Sequence, residues 1–145
     1  MASKFIALPK SVSEKSFAAA IAEFRRIVGQ DSVLVTAEQL APYIKTMMPV
    51  PDADHTPSAA LLATTVEQIQ KIVGICNTYK VPIWMISTGR NFGYGSAAPA
   101  ERGQVVLDLK RMNRILEVDP DLCFALVEPG VTYKQLYDYI QEHQY

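Results

Sequence analysis

The sequence predicts an α+β domain: a βαβ unit followed by a β-hairpin, with flanking helices, preceded by a helical and proline-rich amino-terminal arm. Three observations lead there. Short apolar runs at 59–63 and 83–87 stand on either side of a helical repeat. Alternating or apolar runs resume at 105–109, 115–118 and 123–127. Between Val33 and Pro57, four prolines at 42, 49, 51 and 57 deny any long regular element. The expected division is 1–57 for the arm and 58–145 for the α/β part.

Ser11, with Glu14 three residues on, has the form of a capping box, and Phe17, Ala20, Ile21, Phe24, Ile27 and Val28 then recur at helical spacing up to Gly29. A helix is expected there, and from residue 33 an arm laid over another part of the molecule. Thr65 with Gln68 forms a second capping box, opening a helix whose buried face is Val66, Ile69, Ile72, Val73 and Cys76. Strand, helix and strand within about 30 residues predict a right-handed βαβ unit whose two strands are parallel and adjacent. Asp119, Pro120 and Asp121 supply a turn between the runs at 115–118 and 123–127, so these two are expected to form the hairpin. Thr132 with Gln135 makes a third capping box, and Leu136, Tyr137 and Ile140 begin an apolar helical face. That pattern reaches Tyr145 without a C-cap residue, so the sequence is expected to be truncated there.

Composition narrows the function classes. Fourteen Lys plus Arg stand against fifteen Asp plus Glu, a net charge of −1, which lacks the basic excess that neutralising nucleic-acid phosphates requires. Cys76 and Cys123 form no CxxC pair and His55 and His143 lie far apart, so no zinc spacing emerges and no metal is expected. Both thiols are expected to be buried as small hydrophobes. The apolar stretch before Pro9 is too short for the core of an export signal, and no run is long enough for a spanning helix.

The chemistry concentrates in residues 87–99, STGRNFGYGSAAP, where Gly89, Gly93 and Gly95 directly follow a strand. Amides unobstructed by a Cβ can close there around an anion such as a pyrophosphate. The other reading is that the glycines merely let a long connection turn tightly. No GK pair follows Gly89, so this is not a Walker A loop. Gly93 to Ala98 matches GxGxxA, but Pro99 and the polar AERGQ lead to a strand where a Rossmann unit needs a helix. Arg90 could hold a phosphate or pair with a neighbouring carboxylate. Phe92 and Tyr94, bulky aromatics in a polar loop, are expected to line a ligand. The segment Glu128-Pro129-Gly130-Val131-Thr132 reads either as an ordinary strand-to-helix turn capped by Thr132 or as a second wall of the same site. Lys110, Arg111 and Arg114 are expected to form a solvated face.

STGRNFGYGSAAP and the later VVLDLKRMNRILEVDPDLCFALVEPGVTY together resemble the FAD-binding domain of the vanillyl-alcohol oxidase family. The resemblance extends to LPKSVSEKSF and MMPVPDADHTPSAA, hence to practically the whole chain. It implies the first α/β subdomain of such an FAD-binding domain, with a second subdomain and a cap domain lying outside these residues. It assigns FAD contacts to Ser87, Thr88, Gly89, Arg90, Asn91, Gly93 and Gly95, with Pro129 and Gly130 from the second motif. Tyr94 is implied to be the catalytic contact, holding the phenolic oxygen of a 4-alkylphenol substrate as phenolate. The implied reaction is hydride loss from the benzylic carbon to the flavin, then addition of water to the resulting quinone methide. The implied partner is a c-type cytochrome subunit that takes the electrons, beside a flavoprotein homodimer, and such a partner suggests the periplasm. Two alternatives accompany this reading: a non-catalytic FAD- or nucleotide-binding fragment, and an oxygen-using 4-hydroxybenzyl alcohol oxidase of the same family.

Overall fold

In the computed structural model, residues 5–89 and 96–145 are described. Helix α1 (Glu14–Val28) is capped by Ser13, whose Oγ accepts from the Ser16 amide at 3.2 Å. Ser11, expected as the cap, sits instead in the turn closed by the Val12 amide on Pro9 O, with φ of 64°. The apolar stripe of α1 behaves as its spacing demands: Phe17, Ala20, Ile21 and Phe24 are buried, and the helix stops at Gly29.

The arm contains more regular structure than its prolines suggested. A two-residue strand β1 (Val33–Leu34) pairs antiparallel with β2 (Ala59–Leu62). A short helix α2 (Ala37–Leu40), closed by a full capping box between Thr36 and Gln39, runs into a 3-10 turn at Ala41–Tyr43. Helix α3 (Val66–Tyr79) starts at Thr65, whose hydroxyl accepts from the Gln68 amide, but the Gln68 side chain reaches back to the Thr64 amide and hydroxyl, one residue earlier than a capping box requires. Its buried face is Ile72, Ile75 and Cys76, with Ile69 half-buried. Val66 and Val73, expected inside, are exposed because they lie at the edge of the stripe that the larger isoleucines define.

The four-stranded sheet has the order β1-β2-β4-β3, with β3 at Ile83–Ile86 and β4 at Val105–Asp108. β2 and β3 are parallel, as expected, but not adjacent: β4 lies between them and pairs parallel with both. The reason is burial. All four residues of β4 are inaccessible, so it takes the centre, and β3, with Trp84 and Met85 exposed, takes an edge. One sheet face, including Ala59, Leu61, Val105 and Leu107, packs on α1 and α3. The opposite face, with Ala60, Val106 and Ile86, packs on Leu40 and Tyr43 of the arm.

Strands β5 (Ile115–Asp119) and β6 (Phe124–Val127) form the expected antiparallel hairpin as a separate two-stranded sheet, with Asp119 Oδ1 accepting from the Leu122 amide in the turn. Cys76 is buried, but Cys123 is exposed in that turn at φ of 54°. Helix α4 (Tyr133–Glu142) carries the full Thr132–Gln135 capping box. Without a glycine, its carboxyl end still closes through Gln144 at φ of 57° and the Tyr145 amide on Ile140 O. No helix among the described residues is long and apolar enough to cross a membrane.

Candidate cofactor site

Three parallel strands, β2, β4 and β3, end on the same side of the sheet, and crevices beyond carboxyl strand ends are where open α/β sheets bind ligands. Ser87, Thr88 and Gly89 leave β3 at that edge, and the last rung beneath them is the Leu109 amide on Ile86 O at 3.0 Å. The Thr88 amide is held by Ser87 Oγ at 2.6 Å. Gly89 has φ of +73°, and a Cβ there would stand 2.8 Å from Ala97 Cβ, so only glycine permits this close approach of the two limbs of the loop. On the return limb, Ala98 and Pro99 are buried, the Ala98 amide reaches Ser96 Oγ, and His55 Nδ1 lies 2.8 Å from Pro99 O. Among the described residues between β3 and β4 there is no helix. Arg90, Asn91, Phe92, Gly93, Tyr94 and Gly95 lie outside the described residues.

The second motif reaches the same end of the sheet. Buried Gly130 donates its amide to Met112 O at 2.7 Å, and a Cβ on it would approach Leu109 O to 2.5 Å and Lys110 O to 2.8 Å. It thus packs on the turn that leaves β4, with its own amide already engaged, while Pro129 is exposed. Thr132 caps α4, as the ordinary strand-to-helix reading requires.

The three cations expected to form a solvated face are exposed, and each also holds a specific acceptor. Lys110 Nζ lies 3.1 Å from Asp108 Oδ2, Arg111 donates to Ser32 Oγ at 2.8 Å, and Arg114 clasps Glu128 Oε1 through Nε at 3.0 Å and Nη2 at 2.6 Å. The hydrogen bonds from Arg114, side chain first and backbone next, hold the Glu128 carboxyl below its ordinary pKa. These bonds fasten the foot of the hairpin to the stretch after β4.

Sequence reasoning missed Asp108 and Tyr43. Asp108 is 2% exposed, yet it accepts from the Tyr43 hydroxyl at 2.6 Å and from the Lys110 amide at 2.9 Å. Burial first, and then the bond to Asp108, push the Tyr43 hydroxyl well above its usual pKa, so it stays a donor. The available signal was a single acid inside the apolar run VVLDL, since a charge in a buried strand needs partners. Among the described residues no three His, Cys, Asp or Glu side chains gather as a metal site would require.

Gly89 and the strand-end backbone around it suit a cofactor whose pyrophosphate is gripped by main-chain groups, and Ser87, Thr88 and Gly89 are the described residues that would hold it. Comparison with known proteins identifies the family and the cofactor. A family model described as an FAD binding domain matches residues 57–145. The chain is 63% identical over 136 residues to the flavoprotein subunit of 4-cresol dehydrogenase [hydroxylating] of Pseudomonas putida, covering 94% of this chain and 26% of that protein. It superposes on a crystal structure of p-cresol methylhydroxylase with substrate bound at a TM-score of 0.92 and 62% identity, covering 95% of this chain and 27% of that one. A 4-ethylphenol oxidase from Gulosibacter chungangensis gives a TM-score of 0.89 at 38% identity, with 94% of this chain and 26% of that one covered. The chain therefore spans about a quarter of the length of the relatives it matches. The family model covers more than half of the chain, and together with the 63% identity to a flavoprotein subunit it shows that this chain belongs to the FAD-binding-domain family and that FAD is its cofactor.

Proposed function

We propose that this chain is the first FAD-holding subdomain of a dehydrogenase that oxidises and hydroxylates 4-alkylphenols at the benzylic carbon. The observation that carries this reading is the loop neck at Gly89, placed at the carboxyl end of β3 on a scaffold 63% identical to a 4-cresol dehydrogenase flavoprotein. Ser87, Thr88 and Gly89 bind and orient the cofactor through main-chain groups, and the closed Gly89–Ala97 neck keeps that backbone in place. When bound, FAD supplies the acceptor for a hydride. Tyr94, assigned from its GYG motif, holds the phenolic oxygen of the substrate as phenolate, so that electron density pushed through the ring weakens the benzylic C–H bond. Loss of hydride leaves a p-quinone methide, and water adds at the benzylic carbon to give a 4-hydroxybenzyl alcohol. The electron pair leaves to a c-type cytochrome subunit beside a flavoprotein homodimer, an assembly suited to the periplasm. The greater identity to the dehydrogenase than to the oxidase, 63% against 38%, favours a cytochrome over oxygen as acceptor.

The test is anaerobic reduction of the FAD-loaded full-length protein by 4-methylphenol, followed by reoxidation with cytochrome c or with oxygen. Substrate-dependent bleaching of the flavin band and fast reoxidation by the cytochrome are expected. FAD uptake without bleaching by any 4-alkylphenol would leave a binding module only. Replacing Tyr94 with Phe should slow flavin reduction by about ten- to a hundredfold at unchanged FAD content, because a hydrogen bond to a charged oxygen is lost. A wild-type rate would remove Tyr94 from the site.

A further inference from the structure

We propose that Tyr43 and Asp108 are a positioning pair for the cofactor loop, so that the affinity for FAD depends on a tyrosine of the amino-terminal arm. The inference rests on the assignment of Ser87–Gly89 to the cofactor. Residue 43 lies outside the stretch that the family model matches, which begins at residue 57.

Strand alternation places Asp108 on the arm face of the sheet together with Val106, and its register partners there are Leu62 on β2 and Ile86 on β3. Ile86 is the residue from which the loop departs. The carboxylate is therefore buried directly beside the take-off point, and it has lost nearly all contact with water. Such a group persists only if its oxygens are satisfied, and three donors do this: the Tyr43 hydroxyl at 2.6 Å, the Lys110 amide at 2.9 Å and the Lys110 ammonium at 3.1 Å. Lys110 also donates to the Tyr43 oxygen at 3.2 Å and lies 5.6 Å above its ring, so the three side chains form one closed unit.

A second path runs from the arm to the same place. Leu40 and Tyr43 share a core cluster with Ile86, and Ala97 packs against it. Ala97 in turn touches the Cα side of Gly89. Polar and apolar contacts from one short arm segment thus converge on the neck of the loop, one through the last β3–β4 rung and one through the return limb. Removing the Tyr43 hydroxyl would leave the carboxylate short of a donor in a dry place, and the strand end must shift or admit water to satisfy it.

The test uses an internal control with the same chemistry. Tyr79 also donates its hydroxyl to a carboxylate, Glu23 at 2.5 Å, but between α3 and α1 on the other side of the sheet. Full-length apoprotein carrying Tyr43→Phe or Tyr79→Phe is titrated with FAD by fluorescence quenching, and amide hydrogen exchange is followed in the absence of FAD. Tyr43→Phe is expected to weaken FAD binding by about tenfold or more and to speed exchange at Leu109 and across Ile86–Gly89, while Tyr79→Phe stays within about twofold of wild type in both. Wild-type affinity in Tyr43→Phe, or an equal loss in Tyr79→Phe, would overturn the proposal. Should Tyr43→Phe fail to fold, Lys110→Met removes the exposed member of the unit. Weakened FAD binding there sustains the proposal and wild-type binding rejects it. If the wild-type apoprotein itself takes up no FAD, the cofactor assignment falls, and the inference with it.

Discussion

The parallel sheet and the hairpin are both built from mostly apolar strands, yet they end in opposite states. Ala59, Leu61, Val105 and Leu107 are inaccessible beneath two helices, while Ala60 and Val106 are covered by the arm. Leu116 and Leu126 of the hairpin remain 52% exposed, Phe124 stays 42% exposed, and α4 has no buried residue. Burial of a leucine contributes about 1.5 to 3 kcal/mol, so the first region is held by its core. The second is held by strand pairing, the Arg114–Glu128 clasp and the packing of Gly130. Apolar patterning thus specifies which face of an element seeks cover, while the cover itself comes from other parts of the chain.

The largest expected contrast follows from a matched pair of truncations. Leu107→Ala should cost about 2 to 5 kcal/mol, whereas Leu126→Ala should cost under about 0.5 kcal/mol, read from urea midpoints at constant slope. An equal loss at Leu126 would mean that the hairpin is covered in solution. A smaller effect is expected where the two regions meet. Gly130→Ala sets a methyl group 2.5 Å from a backbone oxygen that cannot yield cheaply, for a cost of about 1 to 3 kcal/mol. The damage should appear as faster amide exchange at Met112–Thr132 with β2 unaffected, and uniform acceleration would show that the two regions unfold as one.

The same division governs what could be read in advance. The hairpin, the Thr132–Gln135 box and the stripe of α1 depend on local spacing, and all three stand as their residues indicate. The sheet order does not depend on local spacing, because two strands flanking a helix are parallel whether they touch or admit a third between them. The uninterrupted apolar character of VVL in β4 was the available hint that it sits centrally. The tight turn at Gly89 after β3 was legible from glycine placement after a strand. The Tyr43–Asp108 bond was not, because its partners are 65 positions apart and meet only once the arm is laid over the sheet. Cys123 escaped for a third reason: a turn with positive φ turned an apolar-looking residue outward, whereas Cys76, on the buried stripe of α3, has its thiol pushed up to about 11 by burial.

Acidity sharpens the comparison at the clasp. Hydrogen bonds from Arg114 depress the folded-state pKa of Glu128, so its stabilisation is fully present above the ordinary carboxylate pKa and is lost as pH falls through the folded value. Glu128→Gln should therefore be destabilised relative to wild type in neutral solution, with the difference shrinking on acidification. Urea midpoints of both proteins across the acid range check this. A difference that stays constant across the acid range would mean that the loss comes from altered packing or hydrogen-bond geometry and that charge contributes nothing at this joint.

A modest effect of opposite sign is expected in the covered region. Gly74 lies in the middle of α3 on the solvent side, with nothing within 4 Å of where a Cβ would be. Alanine there meets no neighbour, fits the helical backbone and reduces the freedom of the unfolded chain, so Gly74→Ala should stabilise by about 0.5 to 1 kcal/mol. The Thr78 hydroxyl, which donates to Gly74 O at 3.0 Å, keeps its acceptor because only the side chain changes. The gain should register as a higher urea midpoint for the parallel-sheet region, with exchange across β5 and β6 unchanged if the hairpin opens on its own. A gain shared equally by both regions would tie the hairpin to the sheet as one cooperative unit, despite its exposed leucines.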